Sequence, residues 1–588
     1  MLAGTICGVA EARKVSGTVT CGETRLEGVI VTDGTNFTTT SKKGKFSFEI
    51  KDDAEHVYIV TPAGYVADWT SGVPAFYKEA PGCSTFDFVL ERTAGGNDYS
   101  IIAIADPQTY SEEHMAQFAG QPLQDLTATA KKLTGPVVGL SLGDISWDEL
   151  ARLDDYKREI VRTGVPFYPV VGNHDNSAWC KGDIEGSALY RAKMGPENYA
   201  FFMGKDVVIV LDNIIYDTNF KANVGYADHV IEWVRGLMPY IPSGAEIYIA
   251  QHAPTLYRDR KMYQANRLLD VVRGRKVTFL SGHSHINHNF TIEKNIVEHN
   301  IAAICGAWWD TEHCTDGTPR GYKVFTKTAG KLSWYYKSVG CSESHQAEVF
   351  LPGETLRHPS CLVANVWDWD PQWKVEWYED GVFMGAMDPV RAVSPVFAKE
   401  IAEAYGEDEI PGWKRARPSG HHFAAQPSRN ARRVTVSVTP RFGKKWVQTF
   451  DLQGITLSEE ECTAAGDSLE NVFAMVDRGV NTLKFDLYAD MEGGVHICTA
   501  DGPLLSELLD EVDAYTTEKG LSPRWFTFTF RTVKGGEEGK TVPYYHDFVD
   551  ACMNELWPRF LGDRLSVICP DSRAARHLTE RYPEVIQL

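Results

Sequence analysis

The chain has 588 residues, of which 43% are hydrophobic and 23% charged, so it is long enough for about four globular domains. Its 59 basic and 79 acidic residues give a formal net charge of −20. This charge disfavours nucleic acid or an anionic membrane as the main partner, because both require a basic surface. The sequence contains no apolar run of about 18 residues, so we expect no transmembrane helix.

The first residues, 1–12, read MLAGTICGVAEA. This weakly apolar stretch ends in Ala-Glu-Ala, as a secretory cleavage site does, although the basic front of such a signal is missing. Two interpretations stay open, a truncated secretory signal and a disordered N-terminus. The 12 cysteines include no C-x-x-C pair, so the sequence predicts neither a zinc knuckle nor a redox pair.

Residues 13–92 have an all-β pattern. Short β-branched or aromatic runs such as VSGTVT, GKFSFEI, HVYIVTPAGY and TFDFVL alternate with turn residues at about ten-residue spacing, which is typical of a small β-sandwich. No set of ligand residue types accompanies these runs, so we predict a spacer or docking module. Residues 93–98, TAGGND, are the predicted linker to the next domain.

Between residues 99 and 334, short apolar runs stop repeatedly at Asp, Asn or His. These runs are IIAIADPQ, VVGLSLGDISWD, FYPVVGNHD, EIYIAQH and VTFLSGHSH. Buried parallel strands have this pattern when ligands lie in the loops at their carboxyl ends. Two divalent cations that clamp a phosphate need carboxylate, amide and imidazole ligands, including one bridging carboxylate. The run ends supply those types at Asp106, Gln108, Asp144, Asn173, His252, His283 and His285.

Each of these residues also has a simpler interpretation. Asp106, Asp144 and Asn173 each precede a segment that could be helical, so any one of them could be a helix N-cap. The three histidines could be ordinary core or loop residues. Packing alone, however, does not explain an ordered set of ligand types at successive strand ends.

The order of these motifs resembles the calcineurin-like metallophosphoesterase superfamily, whose pattern is D-x-H, G-D, G-N-H-D/E, a lone His and G-H-x-H. The resemblance covers about residues 99–335, and all five motifs occur in the family's order. It implies an α/β four-layer core, in which a β-sandwich is flanked by helices, and a dinuclear metal centre that hydrolyses phosphate esters.

The family's pattern also assigns a role to each motif residue. One metal would be held by Asp106 and His285, the other by Asn173, His252 and His283, with Asp144 bridging both. A hydroxide between the ions would attack phosphorus in line. His174 would stabilise the transition state or protonate the leaving oxygen.

The sequence departs from the family's pattern at two positions. Gln108 stands where the family usually has His, and its amide oxygen favours Mn, Mg or Ca over Zn. The metals are therefore expected to be two divalent ions, with Mn, Fe, Zn and Mg all left open. Asp148 follows Asp144 by four positions, whereas several relatives place an acid three positions on to orient the catalytic His. We predict Asp148 as the partner of His174.

Two residues near the motifs are predicted to bind substrate. Arg258 follows His252 in a loop that leads to a helix from about Gln264, where a cation could meet the substrate phosphate. A solvated charged loop is the alternative. Trp308, in ICGAWWDT, could stack on a base or sugar, and packing in the core or between domains is equally compatible.

Residues 335–465 return to a strand pattern, and they resemble the β-rich domain that follows the core in multidomain bacterial relatives. Asp380-Gly381 predicts a hairpin turn, and RRVTVSVTPRFGKKWVQTFDL predicts a second hairpin. Four tryptophans alternate on one face, which favours a core stripe over a carbohydrate platform. They are Trp367, Trp369, Trp373 and Trp377.

Residues 466–588 alternate strand-like and helix-like segments, which predicts parallel α/β units. The segment faintly resembles part of a glycerophosphodiesterase or phospholipase C-like barrel, but it is too short for eight strands and Lys484 stands beside Asp486 where a carboxylate pair is needed. Asp486 and His496 could form a second site. We favour a non-catalytic module.

The sequence thus predicts a multidomain phosphoesterase of the bacterial exported type, periplasmic or extracellular. Its N-terminal β-sandwich, residues 13–92, resembles the carboxypeptidase-regulatory-like sandwich of some exported phosphoesterases. The expected substrate is a phosphomonoester or phosphodiester, either a small molecule or a lipid headgroup. The alternative is a degenerate metal-binding scaffold whose flanking β domains bind glycan or peptide at the cell surface.

Overall fold

The computed structural model describes residues 12–587 with gaps. The residues left out within that range are 178, 217–221, 258–259, 356, 359–360, 407–408, 429–430, 453–455, 463–471, 475–479, 490–493, 498–501, 520–524, 531–544, 561–564 and 584. The chain divides into two compact units. One consists of Met1–Cys314 with Thr318–His345, and the other of Thr315–Gly317 with Gln346–Leu588.

The N-terminal part of the first unit forms two sheets. One sheet runs Thr24–Arg25, Ala12–Cys21, Thr85–Arg92 and Tyr65–Ala67, with Lys45–Lys51 paired to Ala12–Cys21. The other runs Phe37–Thr39, Ile30–Thr32, His56–Ile59 and Tyr77–Glu79. The predicted strands are confirmed, with one difference. HVYIVTPAGY splits into strands of different sheets, because the chain turns at Pro62, whose carbonyl accepts a hydrogen bond from the Tyr65 amide.

The catalytic region is built on two further sheets. The first runs Phe167–Val170, Val137–Leu142, Tyr99–Ile104, Gly321–Thr328 and Lys331–Ser338, and its first three strands are parallel. The second runs Tyr199–Met203, Asp206–Val210, Ile247–Ala250, Val277–Ser281, Ile296–Asn300 and His288–Glu293, and the four strands between its two edges are parallel. All five predicted apolar runs are strands, and they are buried along nearly their whole length.

Buried polar contacts join the two sheets of this region. The Tyr99 hydroxyl donates to Asp206 Oδ2 at 2.7 Å, and Lys327 Nζ lies 3.2 Å from the same oxygen and 2.7 Å from Glu246 Oε1. These bonds satisfy polar groups that would otherwise be costly to bury. The two sheets are therefore held in a defined relation, which fixes where their strand ends meet.

Helices of the catalytic region follow the strands along the chain. They are Glu112–Ala119, Gln121–Ala130, Arg152–Ile160, Asp183–Gly186, Ala188–Met194, Asp228–Leu237 and Ala265–Val271. Short 3₁₀ turns span Val161–Thr163, Asn173–Asp175 and Met238–Tyr240. The helix expected from about Gln264 is confirmed, with Gln264 as its N-cap. The predicted loop before it contains a short hairpin of Leu256–Tyr257 and Arg260–Lys261.

The N-terminal sheets are attached to the catalytic region by backbone and side-chain bonds. The Phe202 amide donates to the Thr61 carbonyl at 2.9 Å, which continues the second catalytic sheet beyond its edge strand Tyr199–Met203. The buried guanidinium of Arg191 donates to Glu55 of the N-terminal part and to Glu197 of the catalytic region. The N-terminal residues thus pack directly on the catalytic region.

The second unit begins with two more sheets. One runs Glu348–Phe350, Leu362–Asn365, Ser419–Ala425 and Asp388–Ala392, and the other Val382–Ala386, Lys374–Glu379, Arg433–Thr439 and Trp446–Asp451. The helix Pro395–Tyr405 lies between strands of the first sheet in sequence. Both predicted hairpins are confirmed, and Asp380 and Gly381 have the positive φ angles that their turn requires. Trp373 and Trp377 lie in the core, which confirms the core interpretation for this pair.

The C-terminal part of this unit is an α/β structure. Its strands are Thr456–Cys462, Val480–Ala489, Val495–Ile497, Trp525–Phe530, Leu565–Ile568 and Ile586–Gln587, and its helices are Leu505–Lys519, Tyr545–Phe560 and Ser572–Arg581. The strands pair in parallel apart from Val495–Ile497, which confirms the predicted parallel units. The first helix-like segment of this region, SLENVFAMVDRG, lies mostly outside the described residues.

Within the described part of the chain, no helix combines the length and the apolar character needed to cross a bilayer. Nine cysteines are described as free thiols. Residues 1–11, which include most of the predicted signal remnant, lie outside the described residues.

Candidate metal centre and active site

The candidate ligands come from the carboxyl ends of strands in both catalytic sheets. Asp106, Gln108, Asp144 and Asn173 follow strands of the first sheet, and His252, His283 and His285 follow strands of the second. Parallel strands end at the same edge of their sheet, and here the edges of two sheets meet. The structure brings all seven residues together through polar contacts of 3.6 Å or less, one of which is made by the backbone amide of His283.

One group of donors surrounds the Nε2 atom of His252. Asp144 Oδ1 lies 3.2 Å from this nitrogen, Asn173 Oδ1 lies 3.1 Å from it, and His283 Nδ1 lies 3.1 Å from it. Asp144, His252 and His283 have the spacing of a metal-ion ligand set. His252 Nδ1 donates to the Leu142 carbonyl at 2.8 Å, which leaves Nε2 without its proton in the neutral ring.

A second group of donors lies around Asp106. Asp106 Oδ1 is 3.6 Å from His285 Nε2, and its Oδ2 accepts a hydrogen bond of 2.9 Å from the His283 amide. His285 Nδ1 donates to the Gly306 carbonyl at 3.1 Å, so its Nε2 is also free to accept or to coordinate. Both buried imidazoles are thus oriented by backbone carbonyls on the side away from the carboxylates.

Asp144 lies between the two groups. Its Oδ1 faces His252 and accepts a bond of 2.9 Å from the His174 amide, while its Oδ2 accepts a bond of 3.1 Å from Gln108 Nε2. The carboxylate is fully buried. One oxygen of Asp144 thus faces His252 and the other faces the side chain of Gln108, two residues from Asp106, which is compatible with a carboxylate that bridges two cations.

The backbone at these strand ends is unusual. Asp144 has φ 48° and His283 has φ 70°, both in the left-handed region that non-glycine residues rarely adopt. Glycines leave room for the ligands. A Cβ at Gly172 would lie 2.1 Å from the Asp144 amide nitrogen, and a Cβ at Gly282 would lie 2.5 Å from Asp106 Oδ2. Gly172 thus allows two neighbouring strand ends of the first sheet to lie close together, and Gly282 allows the second sheet to approach the first.

The N-cap alternative is wrong for two of the predicted ligands. The helix after Asp106 is capped by Ser111, whose side chain accepts a bond from the His114 amide, and the helix after Asp144 begins at Arg152 with Ala151 as its N-cap. Asn173 lies in a 3₁₀ turn that Gly172 precedes. The side chains of Asp106 and Asp144 therefore face the other donors instead of a helix end.

His174 and Asp148 form a pair beside the two donor groups. His174 Nδ1 and Asp148 Oδ1 are 2.9 Å apart, and the Asp148 amide donates to the His174 carbonyl at 3.1 Å. The His174 ring is partly exposed, with 28% of its side-chain surface accessible, whereas Asp148 is 51% exposed. An exposed imidazole with an acid partner, next to a buried set of donors, can hold or deliver a proton.

Burial and charge shift the titration of this centre. Burial raises the pKa of Asp106 to about 8, and burial lowers the pKa of His283 to about 3 and that of His285 to about 4. Burial opposes protonation of His174, but the carboxylates of Asp144 and Asp148 outweigh it and raise its pKa to about 9. Burial also opposes ionisation of Asp144, but the charges of His252 and His174 outweigh it and hold its pKa well below its usual range. Without cations, Asp106 is thus costly to ionise, Asp144 is ionised, and the imidazoles of His283 and His285 are neutral.

Three family models match the chain. The N-terminal domain of calcineurin-like phosphoesterase matches residues 13–93, the calcineurin-like phosphoesterase domain matches residues 99–287, and the C-terminal domain of calcineurin-like phosphoesterase matches residues 298–446. Together these matches span most of the chain. The chain belongs to the calcineurin-like phosphoesterases. It is therefore a multidomain, metal-dependent phosphoesterase.

Solved structures of other phosphoesterases are similar to it. A dimetal phosphatase from Danio rerio shares 15% identity, and the match covers 41% of this chain and 99% of that one, with a TM-score of 0.28. The 5'-nucleotidase of Candida albicans shares 12% identity over 42% of this chain and 53% of that one, with a TM-score of 0.29. A 5'-nucleotidase precursor from Thermus thermophilus shares 12% identity over 41% of this chain and 54% of that one, with a TM-score of 0.26. The match spans about half of each nucleotidase. Among curated sequences, none matches this chain significantly.

The donor set of this calcineurin-like phosphoesterase fits divalent cations. Gln108 Oε1 is buried and, among the described residues, has no hydrogen-bond partner. A buried acceptor without a partner costs roughly 1–3 kcal/mol, which a cation at this position would offset. His283 Nδ1 also lies 3.1 Å from His252 Nε2, a separation at which both rings can ligate one ion. The amide at Gln108, where the family usually has His, is thus compatible with a ligand role.

Sequence reasoning missed a residue of the phosphoesterase that supports the ligands. Asp175, the last residue of GNHD, is fully buried and accepts hydrogen bonds from the amides of Ile145, Ser146 and Gly172 at 3.1, 2.8 and 3.0 Å. It ties the loop that carries Asp144 to the loop that carries Asn173. Its place in the motif was visible in the sequence, but its partners lie in a loop about thirty residues earlier.

Of the two residues predicted to bind substrate, the structure describes Trp308 but not Arg258. Trp308 is partly buried and stacks on the ring of His285, with centroids 4.3 Å apart. Arg258 lies outside the described residues. The neighbouring Trp309 has a structural contact, because its buried indole donates to the Pro107 carbonyl at 2.9 Å, between Asp106 and Gln108.

Proposed function

We propose that this phosphoesterase hydrolyses a phosphomonoester or phosphodiester at the edge where its two catalytic sheets meet, within residues 99–334. Regions 13–92, 335–465 and 466–588 are proposed as accessory modules. The observation that carries the proposal is the position of Asp144, whose Oδ1 lies 3.2 Å from His252 Nε2 and whose Oδ2 lies 3.1 Å from Gln108 Nε2. Divalent cations bound there supply positive charge that lowers the pKa of water and neutralises phosphate oxygens.

The proposed ligands form two sets that share one carboxylate. The sets are Asp106, Gln108 and His285 on one side and Asn173, His252 and His283 on the other, with Asp144 between them. Their mixture of oxygen and nitrogen donors suits Mn, Fe, Zn or Mg. Asp175 and the carbonyls of Leu142 and Gly306 support these ligands by fixing the orientation of their loops and rings.

His174 is the proposed acid of the reaction. Its ring is held by Asp148 and is partly exposed beside the buried donor groups, so a substrate can reach it. From there it can stabilise charge on the phosphate or donate a proton to the leaving oxygen. Its amide also donates to Asp144 Oδ1, so the acid and the shared carboxylate move as one piece.

The alternative of a degenerate scaffold requires that the catalytic groups have been lost. The pair of His174 and Asp148 and the complete donor set favour hydrolysis instead. Glycan or peptide binding by the flanking domains is a separate property that hydrolysis does not exclude.

The test is metal-dependent turnover of a chromogenic phosphate ester by purified variants. The variant His174→Ala should lower kcat by roughly 10²–10⁴-fold, because it removes a general acid. It should retain bound metal by elemental analysis, since the ring of His174 is not among the proposed ligands. The variant Asp144→Asn should lose both turnover and metal.

A matched histidine serves as the control. His229 is exposed on the helix Asp228–Leu237, away from the donor groups in sequence, and His229→Ala should leave turnover unchanged. Unchanged turnover in His174→Ala, with circular dichroism equal to wild type, would contradict the proposed mechanism. Full metal content in Asp144→Asn would contradict the proposed ligand sets.

A further inference from the structure

Backbone hydrogen bonds join the three strand-end loops next to His174. The Gln108 amide donates to the Asp144 carbonyl at 2.8 Å, and the Trp147 amide donates to the Thr109 carbonyl at 3.2 Å. The Asp148 amide in turn donates to the His174 carbonyl at 3.1 Å. These bonds have the regular pattern of a short ladder, so the loops hold the side chains of neighbouring residues at fixed positions.

The joined loops present aromatic rings beside His174. The ring centroid of Trp147 lies 6.3 Å from that of His174 in an edge-on contact, and the Tyr110 ring packs edge-on against Trp147 at 6.4 Å. On the same indole, His114 stacks at 6.3 Å. Tyr110 is 56% exposed and Trp147 is partly buried. We call Tyr110 and Trp147 the aromatic shelf.

The charge around the shelf limits what it can bind. Glu112 and Glu113 begin the next helix and are exposed, and the exposed carboxylate of Asp148 lies beside His174. An anionic group would be repelled there, whereas a planar uncharged ring could pack on Tyr110 and Trp147. The shelf thus suits an apolar or aromatic part of a substrate better than a second phosphate.

We propose that the aromatic shelf binds the leaving group of the substrate and that this leaving group carries an uncharged planar aromatic ring. The inference rests on the proposed function, in which His174 donates its proton to the leaving oxygen. A leaving group protonated by His174 emerges next to Trp147, the aromatic neighbour of that ring. Tyr110 then extends the contact surface outward from the catalytic centre.

The test compares pairs of esters with and without an aromatic ring. Benzyl phosphate is compared with cyclohexylmethyl phosphate, whose leaving alcohol has similar acidity and size, and a nucleoside 5'-phosphate is compared with ribose 5-phosphate. In metal-loaded wild type, kcat/KM should favour at least one aromatic ester. Tyr110→Ala should reduce that preference by roughly two- to tenfold, mainly through KM, because a ring-on-ring contact is lost. Tyr110→Phe should retain the preference.

The outcomes separate the shelf from the proposed function. Tyr240, an exposed tyrosine that stacks on Phe37 of the N-terminal part, is the matched control, and Tyr240→Ala should leave the preference unchanged. If Tyr110→Ala loses the aromatic preference only in the nucleoside pair, the leaving group is a nucleoside. If it loses the preference in the benzyl pair, the leaving group is an arylmethyl alcohol. Equal preferences in wild type and Tyr110→Ala overturn the shelf. Failure of the wild type to hydrolyse any of the four esters overturns the proposed function instead.

Discussion

Most of the candidate ligands have a left-handed backbone. They are Asp106, Gln108, Asp144, His283 and His285, with φ between 39° and 70°. This conformation costs a non-glycine residue roughly 1–2 kcal/mol. It persists here because a rigid strand precedes each turn and close contacts with the opposite sheet follow it. Strained residues of this kind cluster at functional sites, where the backbone conformation directs a side chain into the site at a cost in stability.

Gln108 is the residue that distinguishes this centre from its family's usual pattern. We expect Gln108→His to shift metal preference from Mn toward Zn, because imidazole suits Zn better than an amide oxygen does. The affinity for Zn relative to Mn should change by at least on the order of tenfold. Substitution of residues that only hydrogen-bond to a metal ligand already changes metal affinity by about this factor. Histidine tolerates the left-handed backbone that Gln108 has, with φ 39°. Competition between the two metals, followed by elemental analysis, measures the preference.

The variant Gln108→Asn provides the comparison for this change. It retains the amide but shortens the side chain, so it should weaken metal binding without favouring Zn. An unchanged ratio of Zn to Mn in Gln108→His would show that residue 108 does not contact the metal.

At the scale of elements, buried side chains hold the strand ends of the second sheet in register. Glu298, on the strand Ile296–Asn300, is fully buried and accepts hydrogen bonds from the Thr255 amide at 3.0 Å and from the Ser281 hydroxyl at 2.7 Å. Thr255 follows His252, and Ser281 precedes the turn that carries His283. Glu298 thus links the loops after two neighbouring strands, although no sequence pattern marks it.

Glu298 also makes the stability of this element depend on pH. Burial raises its pKa from 4.5 to about 7, so the folded protein holds this proton more tightly than the unfolded chain does. The stabilisation is complete below pH 4.5 and is lost as pH rises through 7, by up to about 3 kcal/mol. Urea unfolding, with metal removed by a chelator, measures the free energy of unfolding of wild type and of Glu298→Gln. As pH rises from 4.5 to 8, the free energy of unfolding of wild type should fall relative to that of Glu298→Gln.

A second glutamate controls for general effects of charge. Glu293 ends the adjacent strand and is exposed, so Glu293→Gln removes an acidic side chain without changing a buried one and should alter the free energy of unfolding only slightly. A difference between wild type and Glu298→Gln that is constant from pH 4.5 to 8 would contradict the buried titration.

At the scale of the whole molecule, the first unit holds the complete candidate site. Asp106, Asp144 and Asp175 are buried close to one another at the strand ends where the two catalytic sheets meet, and the chain as a whole already has a net charge of −20. Repulsion among these groups opposes folding unless cations neutralise them. Metal binding should therefore stabilise the folded protein as well as enable the reaction.

Removal of metal should lower the unfolding temperature. A ligand present at about a thousand times its Kd contributes about 4 kcal/mol to stability, which corresponds to roughly 5–15 °C in a domain of this size. Chelation of metal-loaded wild type should produce a decrease of this order in a calorimetric scan. The exposed-acid variant Asp228→Asn should show the same decrease, whereas Asp144→Asn should show little. An equal decrease in all three proteins would mean that the stabilising cation binds elsewhere.

Much of the fold was predictable from the sequence because the relevant signals are local. Apolar runs of β-branched residues predicted the catalytic strands, and the residue after each run predicted the strand-end ligands. Asp380-Gly381 predicted its hairpin because that turn depends on positive φ at two adjacent residues. The alternating pattern of the C-terminal part likewise predicted its parallel strands.

What tertiary structure alone decided depends on contacts between distant residues. Sequence could not show that the ligands divide between two sheets, that Asp175 binds the loop of Asp144, or that Glu298 joins the loops near His252 and His283. The shelf of Tyr110 and Trp147 has the same origin. Periodicity and motifs report on residues within a few positions of each other, whereas these arrangements depend on how whole strands pair and pack.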